Sequence, residues 1–317
     1  MARFSFFVRS PLSTIAALIN ALTLCLKENA LARFEESHPE SAKYYADEEG
    51  YEDAGDYDYE GDEELEEGSL ITLSEEDGVR YLHFGTEWVQ GAMRMSRPND
   101  LVLTYTQKMM GWLLFKQPTE QERIVLLGLG AASLLKFCLS HTPAEIETIE
   151  LDEQVTRMCQ AFFRLPFDRR STITHADAEE WIRQPQRAQS IDVLMVDVYD
   201  AEAQGPVCSS LAFYEACAQA LRPEGMVSIN LFGSHPSYEE NLRHIKKAFH
   251  GRVLVFPEID EGNVVVFAFA DQKLLNMSTQ ALLDRATQVE VQTRLPARRW
   301  AKMLLAMRPI DSTFTIP

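Results

Sequence analysis

The chain is short of positive charge. Its 317 residues hold 30 Lys and Arg against 48 Asp and Glu, a formal charge of −18. Neutralising a phosphate backbone takes basic side chains, so a general nucleic-acid binder is not expected. Cysteine is sparse as well: Cys25, Cys138, Cys159, Cys208 and Cys217 are odd in number and form no Cys-x-x-Cys pair. This argues against a disulfide framework or a zinc ribbon, and unpaired thiols fit a reducing compartment, the cytoplasm. The histidines show no metal-ligand spacing, so no metal is expected. Ser209 and Ser210 lack a Gly-x-Ser-x-Gly context, which removes a serine-hydrolase elbow. The apolar run Pro11–Leu26 is broken by Asn20 and falls short of the roughly 20 residues of a membrane span, so no membrane partner is expected.

What acid there is lies mostly in one place. Between Ala46 and Glu67 there are 13 acids and no base, and without them the other 295 residues carry only −5. This Tyr-, Gly- and acid-rich stretch has too little apolar surface to offset its ordering entropy and reads as disordered. Ahead of it, Arg3 and Arg9 precede the Pro11–Leu26 run, and Ala30-Leu31-Ala32 imitates a signal-peptidase site. Lys27, Glu28 and Asn29 stand where a cleavage region is neutral and small, which favours an amphipathic or non-native leader.

From Ser69 the pattern changes. Ile71–Leu73, Arg80–His83 and Trp88–Met93 are short strand candidates separated by Glu76-Asp77-Gly78 and Gly85. Thr106–Phe115 reads as a helix with Met109, Met110, Leu113 and Leu114 on its apolar side. Five apolar runs of strand length follow: Ile124–Leu129, Ile146–Leu151, Thr172–His175, Ile191–Val196 and Met226–Leu231. Helical patterns at Ala131–Leu139, Glu153–Phe163, Glu179–Arg183 and Ser210–Leu221 separate them, which implies a doubly wound α/β fold with a parallel sheet. A helix at Tyr238–Phe249 leads to Val253–Phe256 and Val264–Ala270. The seven residues between those last runs cannot hold a crossover helix, so they predict an antiparallel hairpin at the sheet edge. Parallel strands closed by such a hairpin form the Rossmann-like arrangement of S-adenosylmethionine-dependent transferases. The division expected is a leader and acidic segment (1–68), a small β-hairpin region plus helix (69–115), a nucleoside-binding transferase domain (116–272) and a helical tail (273–317). Arg294, Arg298, Arg299, Lys302 and Arg308 make that tail basic. A packed terminal helix with a solvated face is the simpler reading, and a clamp on the acidic tract is the other.

In an open α/β sheet the ligand sits outside the carboxyl ends of the strands. The first run ends in Gly128-Leu129-Gly130-Ala131-Ala132-Ser133, where glycine lets backbone approach a ligand ahead of a helix N-terminus. The second ends in Glu150-Leu151-Asp152, and an acid there can accept both ribose hydroxyls of a nucleoside. Asp152 suits a helix cap better than Glu150 does. The third ends in His175-Ala176-Asp177-Ala178, where Asp177 can meet an adenine amino group or cap the next helix. The fourth gives Asp197-Val198-Tyr199-Asp200 directly after apolar Leu194-Met195-Val196. A partly desolvated carboxylate at such a point can take a proton from an amine or hold an ammonium group. Four strand ends bearing suitable groups together point to nucleoside binding.

From about Gly78 to Ala270 the chain resembles the spermidine/spermine synthase (polyamine aminopropyltransferase) family. The resemblance rests on the Gly-rich loop, Glu150-x-Asp152, Asp177, the Asp197-x-x-Asp200 pair followed by Gly205-Pro206, Trp88-Val89-Gln90 at the end of the hairpin, and Gln107 with Met109 after it. It implies that Gly128, Gly130, Glu150, Asp177, Ala178 and Pro206 hold the donor. It implies equally that Asp197 is the base, and that Gln90, Gln107 and Asp200 contact a polyamine acceptor. The implied reaction is attack of putrescine's amine on the aminopropyl carbon of decarboxylated S-adenosylmethionine, releasing 5′-methylthioadenosine, and the resemblance also implies a homodimer. The chain also departs from the family. Ala131 replaces the loop acid that holds the donor's ammonium group, which removes one attraction for that donor and one repulsion against a carboxylate. Lys108 replaces a Glu, Ala201 follows the acid pair instead of Pro, and Pro257–Glu261 replaces a Pro-Thr-Tyr stretch. The alternatives are a methyltransferase using intact S-adenosylmethionine, which Ala131 favours, and a non-catalytic nucleoside-binding scaffold.

Overall fold

The computed structural model describes residues 71–199, 208–256 and 262–307. The chain divides into two units, residues 1–64 and 65–317, and every described residue belongs to the second. The expectations for the leader and acidic tract, for Asp200, Gly205 and Pro206, for the acids between 257 and 261, and for Arg308 lie outside the described residues.

A small antiparallel sheet comes first, β1 (Ile71–Glu76), β2 (Val79–Phe84) and β3 (Gly91–Arg94), paired in chain order. Asp77 and Gly78, both at positive φ, form the β1–β2 turn, as the Glu-Asp-Gly signal predicts. The third strand starts later than Trp88. Gln90 N donates to Leu82 O at 2.8 Å, and the Trp88 carbonyl lies 3.1 Å from His83 Nδ1. Trp88 and Val89 therefore sit in an exposed connecting loop and not in the ladder.

The helix expected at Thr106–Phe115 is two elements, α1 (Thr104–Met109) and a 3₁₀ turn (Met110–Leu114). The five residues of that turn are all enclosed. A Cβ on Gly111 would come within 2.9 Å of the Phe267 ring, so the turn packs at backbone distance against the central sheet.

That sheet has seven strands: β4 (Arg123–Leu127), β5 (Glu145–Glu150), β6 (Ser171–His175), β7 (Ile191–Val196), β8 (Leu221–Phe232), β9 (Val253–Val255) and β10 (Asn263–Phe269). Their spatial order is β6-β5-β4-β7-β8-β10-β9. The hairpin predicted from the last two runs is present, with β10 antiparallel to both β8 and β9. Its placement refines the prediction: β10 inserts between β8 and β9, so β9 runs with the parallel set and a single strand is reversed. The helices α2 (Ser133–His141), α3 (Glu153–Phe162), α4 (Ala178–Ile182), α5 (Leu211–Ala220) and α6 (Tyr238–Ala248) make the crossovers.

Alternation along β4 divides the core. Ile124 and Leu126 join one buried cluster, which includes Met110, Trp112 and Phe267, while Val125 and Leu127 face the other, which includes Trp181 and Phe213. The tail is helical as predicted, α7 (Thr279–Thr293) and α8 (Ala297–Ala306). Leu282, Ala286 and Val289 recur at helical spacing on α7 and are buried in the first cluster, together with Trp300 and Leu304 of α8. Of the tail's basic residues, Arg298 forms an ion pair with Glu290 of the preceding helix.

Candidate active site

The carboxyl ends of the parallel strands open into a cavity of about 680 Å³, roofed by the β2–β3 loop and the start of α1. Its floor is set where β4 and β7 end. Asp197 N donates to Leu127 O at 3.0 Å, extending the β4–β7 ladder by one bond. Gly128 then turns away at φ +95°, and a Cβ there would overlap the Asp197 carbonyl. Only glycine permits both the backbone angle and this approach.

Glu150 closes β5 and both of its oxygens are engaged. Oε2 accepts from Leu129 N at 2.9 Å and Oε1 from Asp152 N at 3.0 Å, which ties the glycine loop to the end of the neighbouring strand. Burial pushes the Glu150 carboxyl up, and the backbone N–H groups oppose that rise. Asp152 does cap α3, its carboxylate accepting from Gln154 N at 2.7 Å. Asp177 caps α4, accepting from Glu180 N at 2.8 Å, while also lining the cavity beside Ala178. The cap and the cavity position are therefore compatible in one residue.

Asp197 is the most elaborated group. Asn230 Nδ2 donates to Oδ1 at 2.9 Å and the Tyr105 hydroxyl donates to Oδ2 at 3.2 Å. Tyr199 donates in turn to the Asn230 carbonyl at 3.0 Å. Burial raises the Asp197 carboxyl above its ordinary range, and the Asn230 and Tyr105 hydrogen bonds hold it back. Tyr105 is raised well above an ordinary phenol by burial and by the adjacent Asp197, so it stays protonated as a donor. Asn230 Oδ1 is buried and receives no hydrogen bond.

Of the other residues singled out in the sequence, Gly128, Gly130 and Gln90 line the cavity. Gln107 does not. It lies outside the lining and its side-chain amide donates to Leu101 O at 2.9 Å, because α1 starts two residues before the expected helix and this turn presents Tyr105. Lys108 is buried under α1 and likewise lies outside the lining, so it presents no cation to the cavity. Ala131 is buried against β3, where a Cβ on Gly91 would come within 2.5 Å of its methyl group.

The two residues that hold the Asp197 carboxyl were missed. Asn230 was legible as the polar interruption near the end of the apolar run Met226–Leu231, the fifth strand end. Tyr105 carried no sequence signal of its own, since its value comes from a contact across 92 positions.

Residues 102–276 match the model of the spermine/spermidine synthase domain, more than half of the chain. The chain is 31% identical to the polyamine aminopropyltransferase of Chromobacterium violaceum over 222 residues, 69% of this chain and 83% of that protein. It is 33% identical to the polyamine aminopropyltransferase of Neisseria meningitidis serogroup A over 201 residues, 63% of this chain and 75% of that protein. Among solved structures, a probable spermidine synthase from Corynebacterium glutamicum superposes with a TM-score of 0.58 at 19% identity, covering 79% of this chain and 97% of that one. That structural likeness shows the Rossmann-like fold. The domain match together with the Chromobacterium relative shows that the chain belongs to the spermine/spermidine synthase family.

Proposed function

We propose that the protein transfers an aminopropyl group from decarboxylated S-adenosylmethionine to a polyamine acceptor such as putrescine. One observation carries the reading beyond family membership. Among the described residues lining the cavity there are four carboxyl groups, Glu87, Glu150, Asp177 and Asp197, and no Lys, Arg or His. A donor bearing a sulfonium and an ammonium group, and an acceptor bearing two ammonium groups, are both attracted to such a surface. Intact S-adenosylmethionine brings a carboxylate, and this lining offers it no cationic partner.

In this reading Glu150 accepts from the ribose hydroxyls with the lone pairs its backbone contacts leave over. Asp177 meets the adenine edge beside Ala178. Gly128 and Gly130 let the loop lie close to the sulfonium. Asp197 takes one proton from the acceptor's ammonium. The freed nitrogen lone pair forms a bond to the aminopropyl carbon as the carbon–sulfur bond breaks, its electrons staying on sulfur to give neutral 5′-methylthioadenosine. Asp197 suits that task because it is desolvated yet held by two neutral donors, which fixes its orientation without neutralising its charge. Gln90, Asp200 and Pro206 belong to the same proposal as acceptor and donor contacts.

The proposal includes a cytoplasmic setting. Four of the five cysteines are described, and each is unpaired and buried. No helix among the described residues is long and apolar enough to cross a membrane. It also retains the division at 68, 115 and 272, and pairing of two copies through the small sheet. Calorimetric titration with decarboxylated S-adenosylmethionine, intact S-adenosylmethionine and 5′-methylthioadenosine tests the reading. Preference for the decarboxylated donor, with turnover on putrescine, is the expected result. Preference for the intact donor moves the chemistry to methyl transfer, and binding of none leaves a scaffold.

A further inference from the structure

The four carboxyl groups among the described residues of the cavity are not equivalent. Glu150 accepts from two backbone amides, Asp177 caps α4, and Asp197 is held by Tyr105 and Asn230. Glu87 alone has no hydrogen bond or ion pair to another described residue, and it is exposed on the β2–β3 loop. That loop lies directly on the glycine loop: the Gln90 carbonyl comes within 3.2 Å of where a Gly130 Cβ would be. Ser133 Oγ donates to Ala92 O at 2.9 Å, fastening the same two segments one turn further on. Glu87 is three residues from Gln90, so about 10 Å of extended chain is the most that separates it from that contact.

The glycine loop itself offers no charge, since Gly128 to Ser133 contains no acid and the Ala131 methyl is buried against Gly91. A second feature, independent of Glu87, marks the cavity as built for a donor of N–H groups. Asn230 is 3% exposed, lines the cavity and leaves its Oδ1 without a donor. Buried acceptors of this kind cost free energy unless a ligand completes them.

We propose that Glu87 binds the primary ammonium of the donor's aminopropyl arm and so sets the preference for a donor without a carboxylate. This rests on the aminopropyl-transfer reading. The arm extends from a sulfonium that lies over the glycine loop, and Glu87 is the uncommitted anion on the segment covering that loop. Asp197 and Asn230, at the ends of β7 and β8, remain for the acceptor. A carboxylate on the donor carbon would face Glu87 and be repelled, so one residue supplies both attraction and exclusion.

The test compares wild-type protein with Glu87→Gln by calorimetry, using decarboxylated S-adenosylmethionine, intact S-adenosylmethionine and 5′-methylthioadenosine. The substitution keeps size and removes charge. Affinity for the decarboxylated donor is expected to fall about 10- to 100-fold, the range for losing one charge-assisted hydrogen bond. Affinity for 5′-methylthioadenosine, which has no ammonium, stays within twofold, about the scatter of a 0.4 kcal/mol change, and also reports that the variant is folded. The ratio between decarboxylated and intact donor falls with it. Unchanged affinity for the decarboxylated donor, equal losses for all three ligands, or a rise confined to the putrescine KM each overturn the assignment. If wild-type protein binds none of the three, the aminopropyl-transfer reading fails first and this inference with it.

Discussion

Replacing Asp197 with Asn separates chemistry from architecture at this site. Asp197 accepts from Asn230 Nδ2 and from the Tyr105 hydroxyl. An Asn at this position keeps the volume and one acceptor, and turns the other oxygen into an N–H donor. Asn230 can meet that donor by rotating its amide, because its Oδ1 is otherwise unpartnered. The hydrogen-bond count is conserved and one buried charge disappears. The loss in turnover is then that of a general base, about 10² to 10⁴ in kcat, or about 3–5 kcal/mol of barrier. The donor's Kd is expected to move by less than about threefold, or 0.7 kcal/mol.

Stability gives the internal control. Burial raises the folded-state carboxyl above its unfolded value, so the unfolded chain releases this proton first as pH rises. The stability this group contributes is present below the ordinary carboxylate range and is lost as pH climbs through the raised folded value. Asp197→Asn should therefore melt at the same temperature as wild type in acid and at a higher temperature at neutral pH. Single-turnover assays with radiolabelled donor, and melting followed by circular dichroism from pH 4 to pH 8, measure both effects. A kcat within about tenfold of wild type, under 1.4 kcal/mol of barrier, refutes the role of base. A lower melting temperature at neutral pH refutes the hydrogen-bond exchange.

Three further outcomes follow from the same geometry. Asn230→Ala removes one of the two donors holding Asp197 down, so the acid limb of the kcat/KM profile should move to higher pH, with a loss of about 1–3 kcal/mol for breaking a charged hydrogen bond; an unmoved limb disproves the coupling. Gly128→Ala forces a side chain into φ +95° and into the Asp197 carbonyl, and urea denaturation should show at least about 1–3 kcal/mol of destabilisation together with lost donor binding. Lys136 is buried with Nζ 2.7 Å from Phe163 O, and burial lowers its pKa to about 8. Its folded value lies below its unfolded one, so wild type gains stability from this group as pH rises from about 8 toward the ordinary lysine range. The stability of Lys136→Met relative to wild type should therefore decline across that window, and a flat difference between the two proteins refutes the assignment.

Much of this protein is written locally. Strand-length apolar runs alternating with helical patterns dictate the parallel sheet, because a run such as Ile191–Val196 can satisfy its backbone and bury both faces only at the centre of such a layer. The seven residues between the last two runs dictate the hairpin, since no crossover fits there. Gly128, Glu150, Asp177 and Asp197 could be chosen as strand-end residues without coordinates, because ligands in open sheets gather at the carboxyl ends of the strands.

Other features depend on contacts between distant segments. β10 lies between β8 and β9, an order that no short window of sequence encodes. The helix expected at Thr106–Phe115 tightens into a 3₁₀ turn because Phe267 approaches Gly111 at backbone distance. Gln107 and Tyr105 lie on one short helix, and it is the packing of α1 over the sheet that turns Tyr105 toward Asp197 and Gln107 toward Leu101. Whether Asp177 caps a helix or lies at the cavity looked like a choice in one dimension; in three it caps α4 and lines the cavity. Residue type and spacing nominate the groups, but an uncommitted carboxylate at Glu87 and an orphaned acceptor at Asn230 emerge only from the pairing of the cavity's other polar groups in three dimensions.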